Sequence, residues 1–283
     1  MSRHRETLRR HLLELAFARN PHRHPNNHRK AREYIRTALE NSGREVETID
    51  FEAVLPDKSE VRGQNILSQT AGTPKFLVVA HYDTVDLSPG ADDNTSAVAL
   101  ALVLAAHCPH IAVLFPDLEE QDLLGSRHFV SSQRFVETPT LVLESVGYWS
   151  QEPDSQSVPG ILPLVFPQQF EWLKQRQFRG DFWVILHLES QRESAQSLAA
   201  SLESDSVLFG IPAQSLQSEE GRHLSDFGRS DHLAFWEKGR PCLMVTDSAN
   251  FRNPNYHRPS DTLETLDLPQ LERLCENLIH FLQ

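Results

Sequence analysis

Three apolar runs in this chain each finish on a metal-type ligand, and that coincidence limits the fold more than any other feature. FLVVA (76–80) leads into His81 and Asp83, IAVLFPD (111–117) into Glu119 and Glu120, and TLVL (140–143) into Glu144. Continuous apolar runs of this length read as strands buried on both faces. Between them lie two helical stretches, the Ala/Leu-rich Thr95 to His107 and Leu124 to Phe135. Strands alternating with helices predict an α/β fold: a mostly parallel, mixed central sheet with helices on both faces. Ligands bind at the carboxyl ends of such strands, so the three polar termini converge where a site belongs. A single strand-end acid is more often a helix cap or a surface charge. Three in register are hard to assign that way.

The flanking segments fit the same scheme. Ser2 to Arg19 has helical spacing at Leu8, Leu12, Leu13, Leu15 and Ala16, and the polar NPHRHPNN follows as a loop. Asn27 is placed to cap a second helix running to about Ser42. Glu45 to Phe51 and Val61 to Gln69 alternate as antiparallel strands. Later come the strands FWVILHL and PCLMVTD, helices from about Glu193 to Leu202 and Asp231 to Lys238, and a last helix Leu268 to Leu282 capped by Asp267. The stretch 147–180 differs, with Pro153, Pro159, Pro163 and Pro167 among Trp149, Phe166, Phe170 and Trp172. It reads as a long excursion over one end of the sheet, suited to packing or to shaping a pocket. One domain over 1–283 is expected, with a helical lead-in at 1–44 and this excursion at 147–180.

Composition excludes several roles. A net charge of -12 and a pI near 5.6 oppose nucleic-acid binding, which needs a basic surface. No apolar stretch is long enough to span a membrane, and charges throughout the first twenty residues oppose a secretory signal. Cys108, Cys242 and Cys275 form no CxxC, which fits a reducing, cytoplasmic setting and leaves metal ligation to His and carboxylates. There is no GxSxG, so a serine hydrolase is not supported.

Five blocks carry the chemistry. In HYD, Asp83 suits the acceptor that orients a ligating His81, although a turn beside a buried histidine explains it as well. GADDN places Asp92 and Asp93 before the Ala-rich helix; capping accounts for one aspartate but not readily for both. In DLEEQDLLGS, neighbours on an extended segment point different ways. One of Glu119 and Glu120 is then free to bind metal while the other faces a water. NPNYHRPSDT supplies His257 and Asp261, and SDH supplies Asp231 and His232. His22, His24, His28, His107, His110, His128, His187, His223 and His280 lack such surroundings and read as surface or core residues.

HYD, GADDN, EE followed by LGS, SDH and YHRPSDT, in that order, resemble the M28 family of metallopeptidases over roughly 60–283. That family includes aminopeptidases and is related to glutaminyl cyclases. The resemblance implies a zinc exopeptidase architecture with two Zn2+ per chain, held by His81, Asp93, Glu120, Glu144 and His257. It implies that Asp93 bridges, that Glu144 sits beside His81, and that Glu120 shares the second ion with His257. Glu119 would be the general base, Asp83 the orienter of His81, and Asp231 a supporting or substrate-side carboxylate. Two departures stand out: Glu144 where Asp is common, and Leu118 where Gly is usual.

The implied activity is hydrolysis of a peptide or aminoacyl amide at its N-terminal residue. A one-zinc acyltransferase like the glutaminyl cyclases is the alternative, and a non-catalytic relative of the fold is a third reading. The oligomeric state is not legible.

Overall fold

The computed structural model describes residues 3–55, 57–69, 72–202, 206–216 and 220–283. The strands are β1 (Glu45–Val54), β2 (Glu60–Gln69), β3 (Phe76–Val79), β4 (Ile111–Phe115), β5 (Thr140–Glu144), β6 (Trp183–Leu188), β7 (Ser206–Ile211) and β8 (Cys242–Thr246). They form one 8-stranded sheet in the order β1-β2-β4-β3-β5-β8-β6-β7. β4, β3, β5 and β8 run parallel, as do β6 and β7; β1, β2 and β4 pair antiparallel, and so do β8 and β6. The mostly parallel α/β sheet read from the sequence is the observed fold.

The helices are α1 (Arg3–Leu15), α2 (Pro25–Asn41), α3 (Ala97–His107), α4 (Leu124–Ser131), α5 (Leu162–Val165), α6 (Pro167–Gln175), α7 (Arg192–Ser201), α8 (His232–Glu237) and α9 (Leu268–Leu282). Successive strand residues face opposite ways. Val78, Val113, Leu141, Ile185 and Val245 therefore pack with α1, α2, α3, α7 and α9. Leu77, Leu114, Val142, Leu186 and Met244 pack with α4, α5, α6 and α8. Cover on both faces is why the central strands show no polar alternation. Among the described residues, no helix is long and apolar enough to cross a membrane.

Several local expectations change. Asn27 does not cap α2: the helix starts at Pro25, whose missing N–H costs nothing at a first position, and Asn27 Nδ2 donates instead to Ala18 O at 2.8 Å. The expected start of α1 at Ser2 lies outside the described residues. α3 begins at Ala97, after a wide turn Ala91–Ser96 in which Asp93 and Asn94 leave helical dihedrals and share a cis peptide bond. α4 stops at Ser131 rather than Phe135. β7 was not anticipated: its segment SVLFGI is short, and only alternate residues are buried. The excursion contains α5 and α6. The Asp267 cap of α9 is present, accepting from Gln270 N.

β3 has β4 on one side and β5 on the other, so the chain reverses its progress across the sheet there. The carboxyl ends of these strands open the crevice in which α/β proteins hold ligands.

Candidate metal centre

His81 and Asp83 follow β3, Glu119 and Glu120 follow β4, and Glu144 ends β5. Asp93 arrives on the wide turn before α3, and His257 on the Pro/Asn-rich segment between β8 and α9. The Asp93 carboxylate lies between the two imidazoles. Its Oδ1 is 3.3 Å from His81 Nε2, and its Oδ2 is 2.9 Å from His257 Nε2. Glu144 Oε2 stands 3.3 Å from His81 Nε2, and Glu120 Oε2 stands 3.3 Å from His257 Nε2. Glu119 Oε2 is further from His81 Nε2, at 3.7 Å. The donors thus fall into two trios, His81/Glu119/Glu144 and Asp93/Glu120/His257, with the ligand atoms of each within 4.8 Å of one another.

Buried hydrogen bonds hold these side chains. Asp83 faces His81 Nδ1 at 3.4 Å and accepts from the main-chain N–H groups of Glu119 (3.1 Å) and Glu120 (3.3 Å). It therefore aims the Glu pair as well as the imidazole. Asp261 accepts from Asp92 N and Asp93 N, and Asp92 accepts from Gly147 N and Asn253 Nδ2. Ser230 Oγ donates to Glu144 Oε2 at 2.8 Å, and Asn94 Nδ2 donates to Leu143 O beside it. Gly90, at φ 60, permits the turn, since a Cβ there would collide with Asp93 O and the Thr84 methyl. Leu118 takes the same left-handed region at φ 57, where glycine would be unstrained. Its side chain is buried with Phe51 and Val61, which ties the start of the acidic turn to the sheet edge.

The charge balance of the site is unusual. Asp83, Asp93, Glu119, Glu120, Glu144 and Asp231 cluster around two imidazoles, and like charges so close cannot all ionise without a cation. Burial pushes the Glu119 carboxyl well above its usual range, with Glu144, Glu120 and Asp231 adding to the rise against His81. Burial and the Asp93 charge push Glu120 up to about 7, and burial likewise pushes Asp231 to about 7. Burial would lower His257, yet its bonds to Asp93 and Glu120 raise it to about 10. Nε2 of His81, the nitrogen turned away from Asp83, and Oε1 of Glu120 are buried without a hydrogen-bond partner. Orphaned ligand atoms among surplus acids fit cations, and imidazole with carboxylate oxygen is a donor set that suits zinc.

A cleft of about 330 Å³ opens onto these groups. Glu119, Glu120, Asp93, Glu144 and His257 line one end; Leu162, Leu173, Phe182, Leu186, Phe209 and Met244 line an apolar end. The excursion supplies Gln156 to Leu173 of that wall. Asp231 is fully buried and is not among the lining residues.

His81, Asp83, Asp93, Glu119, Glu120, Glu144 and His257 meet in this cluster, and Asp231 is buried behind it. Reading the sequence missed Ser230, Asn94 and Asn253 as braces, and Tyr256, whose ring stacks on His257 at 3.8 Å between centroids. All four sit inside the quoted blocks or next to them, so adjacency was the only signal. Of the histidines set aside, His28 is buried against Asp117 Oδ1 at 2.7 Å, and His22 reaches Gln121 Oε1 at 3.0 Å. The His223 side chain is outside what is described.

Residues 65–169 and 181–282 match the model of Peptidase family M28. The uncharacterized protein YfbL of Escherichia coli is 29% identical over 294 residues, covering 96% of this chain and 85% of YfbL. The probable lipoprotein aminopeptidase LpqL of Mycobacterium tuberculosis is 26% identical over 234 residues, 73% of this chain but 42% of LpqL. The solved glutaminyl cyclase of Porphyromonas gingivalis shares the fold at a TM-score of 0.64 and 17% identity, covering 99% of this chain and 96% of its own. The chain belongs to peptidase family M28.

Proposed function

From membership of that peptidase family and the paired donor trios, we propose that this protein is an aminopeptidase using two zinc ions. One observation carries the reading: the Asp93 carboxylate directs its two oxygens at two different imidazoles, His81 at 3.3 Å and His257 at 2.9 Å. His81 and Glu144 would hold one ion, Glu120 and His257 the other, with Asp93 between them. Bound there, the ions would supply an activated water and a Lewis acid for the scissile carbonyl.

The chain's own groups do the rest. Glu119 lines the cleft, and its raised carboxyl pKa suits a group that takes a proton from the attacking water and returns it to the departing amine. Its greater distance from His81, 3.7 Å against 3.3 Å for Glu144, supports the base role over ligation. The extra methylene of Glu144, compared with the family's usual Asp, is taken up by the Ser230 hydroxyl at its Oε2. Asp231 stands behind the site, its carboxyl held toward the neutral form by burial. The acids around the cleft give a substrate's free ammonium its counter-charge. The apolar end accepts the first side chain.

The glutaminyl cyclase shares the fold, but a one-zinc reaction would draw on only one of the two donor trios. Three buried free cysteines support a reducing, cytoplasmic location. The test is metal content with turnover of aminoacyl amides before and after chelation, alongside an N-terminal glutamine peptide. Two ions per active chain with hydrolysis support the reading; cyclisation with a single ion overturns it.

A further inference from the structure

Arg19 lies beyond the end of α1, far along the chain from every block of the site, yet only 1% of it is exposed. Its Nε donates to Tyr82 O at 2.6 Å, and its Nη1 donates to Pro89 O at 3.0 Å and Leu15 O at 2.9 Å. Its own main-chain N–H donates to Thr84 Oγ1 at 3.0 Å, and the next residue, Asn20, donates to Thr84 O at 3.1 Å. Tyr82 adjoins His81. Pro89 precedes Gly90 and the turn that carries Asp93. One planar fork therefore grips both ends of the segment joining two of the zinc donors.

We propose that Arg19 is a positioning residue for the metal pair: by clamping Tyr82 and Pro89 together it fixes the separation of His81 from Asp93. This rests on the zinc reading above. A rigid five-donor fork suits the task because it reaches several carbonyls at fixed angles, which a lysine ammonium does not. Burying a cation against neutral carbonyls is costly, and a fold needing only a tether has cheaper choices. The site offsets part of that cost: burial lowers the guanidinium pKa to about 10, against the pull of Asp83, Asp93, Asp261 and Glu120 across the segment. The lead-in helices are thereby part of the metal centre.

The experiment compares wild type, Arg19→Lys (charge kept, fork lost) and Arg19→Gln (charge lost). Each metal-free protein is melted, titrated with Co2+ against a competing chelator, and its visible Co2+ absorption recorded. Both variants should bind about 10–100-fold more weakly, as expected when the support of a ligand is lost, with an altered Co2+ spectrum. A purely structural role would lower only the melting temperature. Arg19→Lys with wild-type affinity and spectrum overturns the proposal, and so does loss of cooperative melting in both variants, which would make Arg19 a folding residue. Wild-type protein that takes up no Co2+ would instead overturn the zinc reading beneath it.

Discussion

Replacing Asp83 by Asn tests the idea that one carboxylate sets both a ligand and the acidic turn. The substitution keeps shape, so no cavity forms. It keeps one acceptor oxygen and turns the other into an NH2 group. Asp83 is fully buried and accepts from Glu119 N at 3.1 Å and Glu120 N at 3.3 Å. One of those N–H groups is then left facing a donor. A buried N–H without an acceptor costs about 1–3 kcal/mol. At roughly 2–4 °C per kcal/mol for a chain near this size, the metal-free protein should melt about 2–12 °C lower. His81 also loses a charged neighbour at 3.4 Å, so metal affinity should fall about 10–100-fold. Calorimetry of the metal-free protein reads the first effect and chelator competition reads the second. A variant melting within about 1 °C of wild type and binding metal as tightly would refute the reasoning, because neither hydrogen bond would then matter.

Further outcomes follow from the site and the core. Glu119→Gln should retain metal while kcat on aminoacyl amides falls about 10²–10⁴-fold; full turnover would remove Glu119 from the base role. Burying a leucyl-sized side chain in the apolar end is worth about 1.5–3 kcal/mol. Leucyl amides should therefore exceed glycyl amides in kcat/KM by about 10–150-fold, and equal values would sink the pocket assignment. His11 and His232 have pKa values lowered to about 4, chiefly by burial. The unfolded chain binds protons first there, so the stability from each is complete above about 6.5 and is lost as pH falls toward 4. Urea midpoints should drop across that window, and His232→Gln should flatten the drop; an unchanged profile would count against buried neutral imidazoles.

Much of this architecture is readable from residues alone. The runs before His81, Glu119 and Glu144 are long and apolar because α/β strands are covered twice, and their polar ends mark the crevice. Asp93 and His257 needed the ordered blocks, since a loop histidine has no periodicity to reveal it. What stayed hidden depends on contacts distant in sequence. Ser230 reaches Glu144 across 86 positions, and Arg19 reaches Tyr82 across 63. No local pattern records either. Asn27 misled because a good capping residue lay two positions inside a helix that Pro25 had already started. β7 stayed hidden because its six residues are too short a run to tell from a loop, and as an edge strand it buries only alternate ones.

β8 enters the sheet between β5 and β6, although β6 and β7 both precede it in the chain. A chain not yet extended through β8 therefore holds a five-stranded and a two-stranded piece, each with a bare edge of the kind that invites pairing with other molecules. The strand that joins them is followed closely by His257, so the pieces are sealed and the donor set is completed at nearly the same moment of synthesis. A fragment ending before Cys242 should accordingly be sticky, dependent on chaperones and without the His257 side chain.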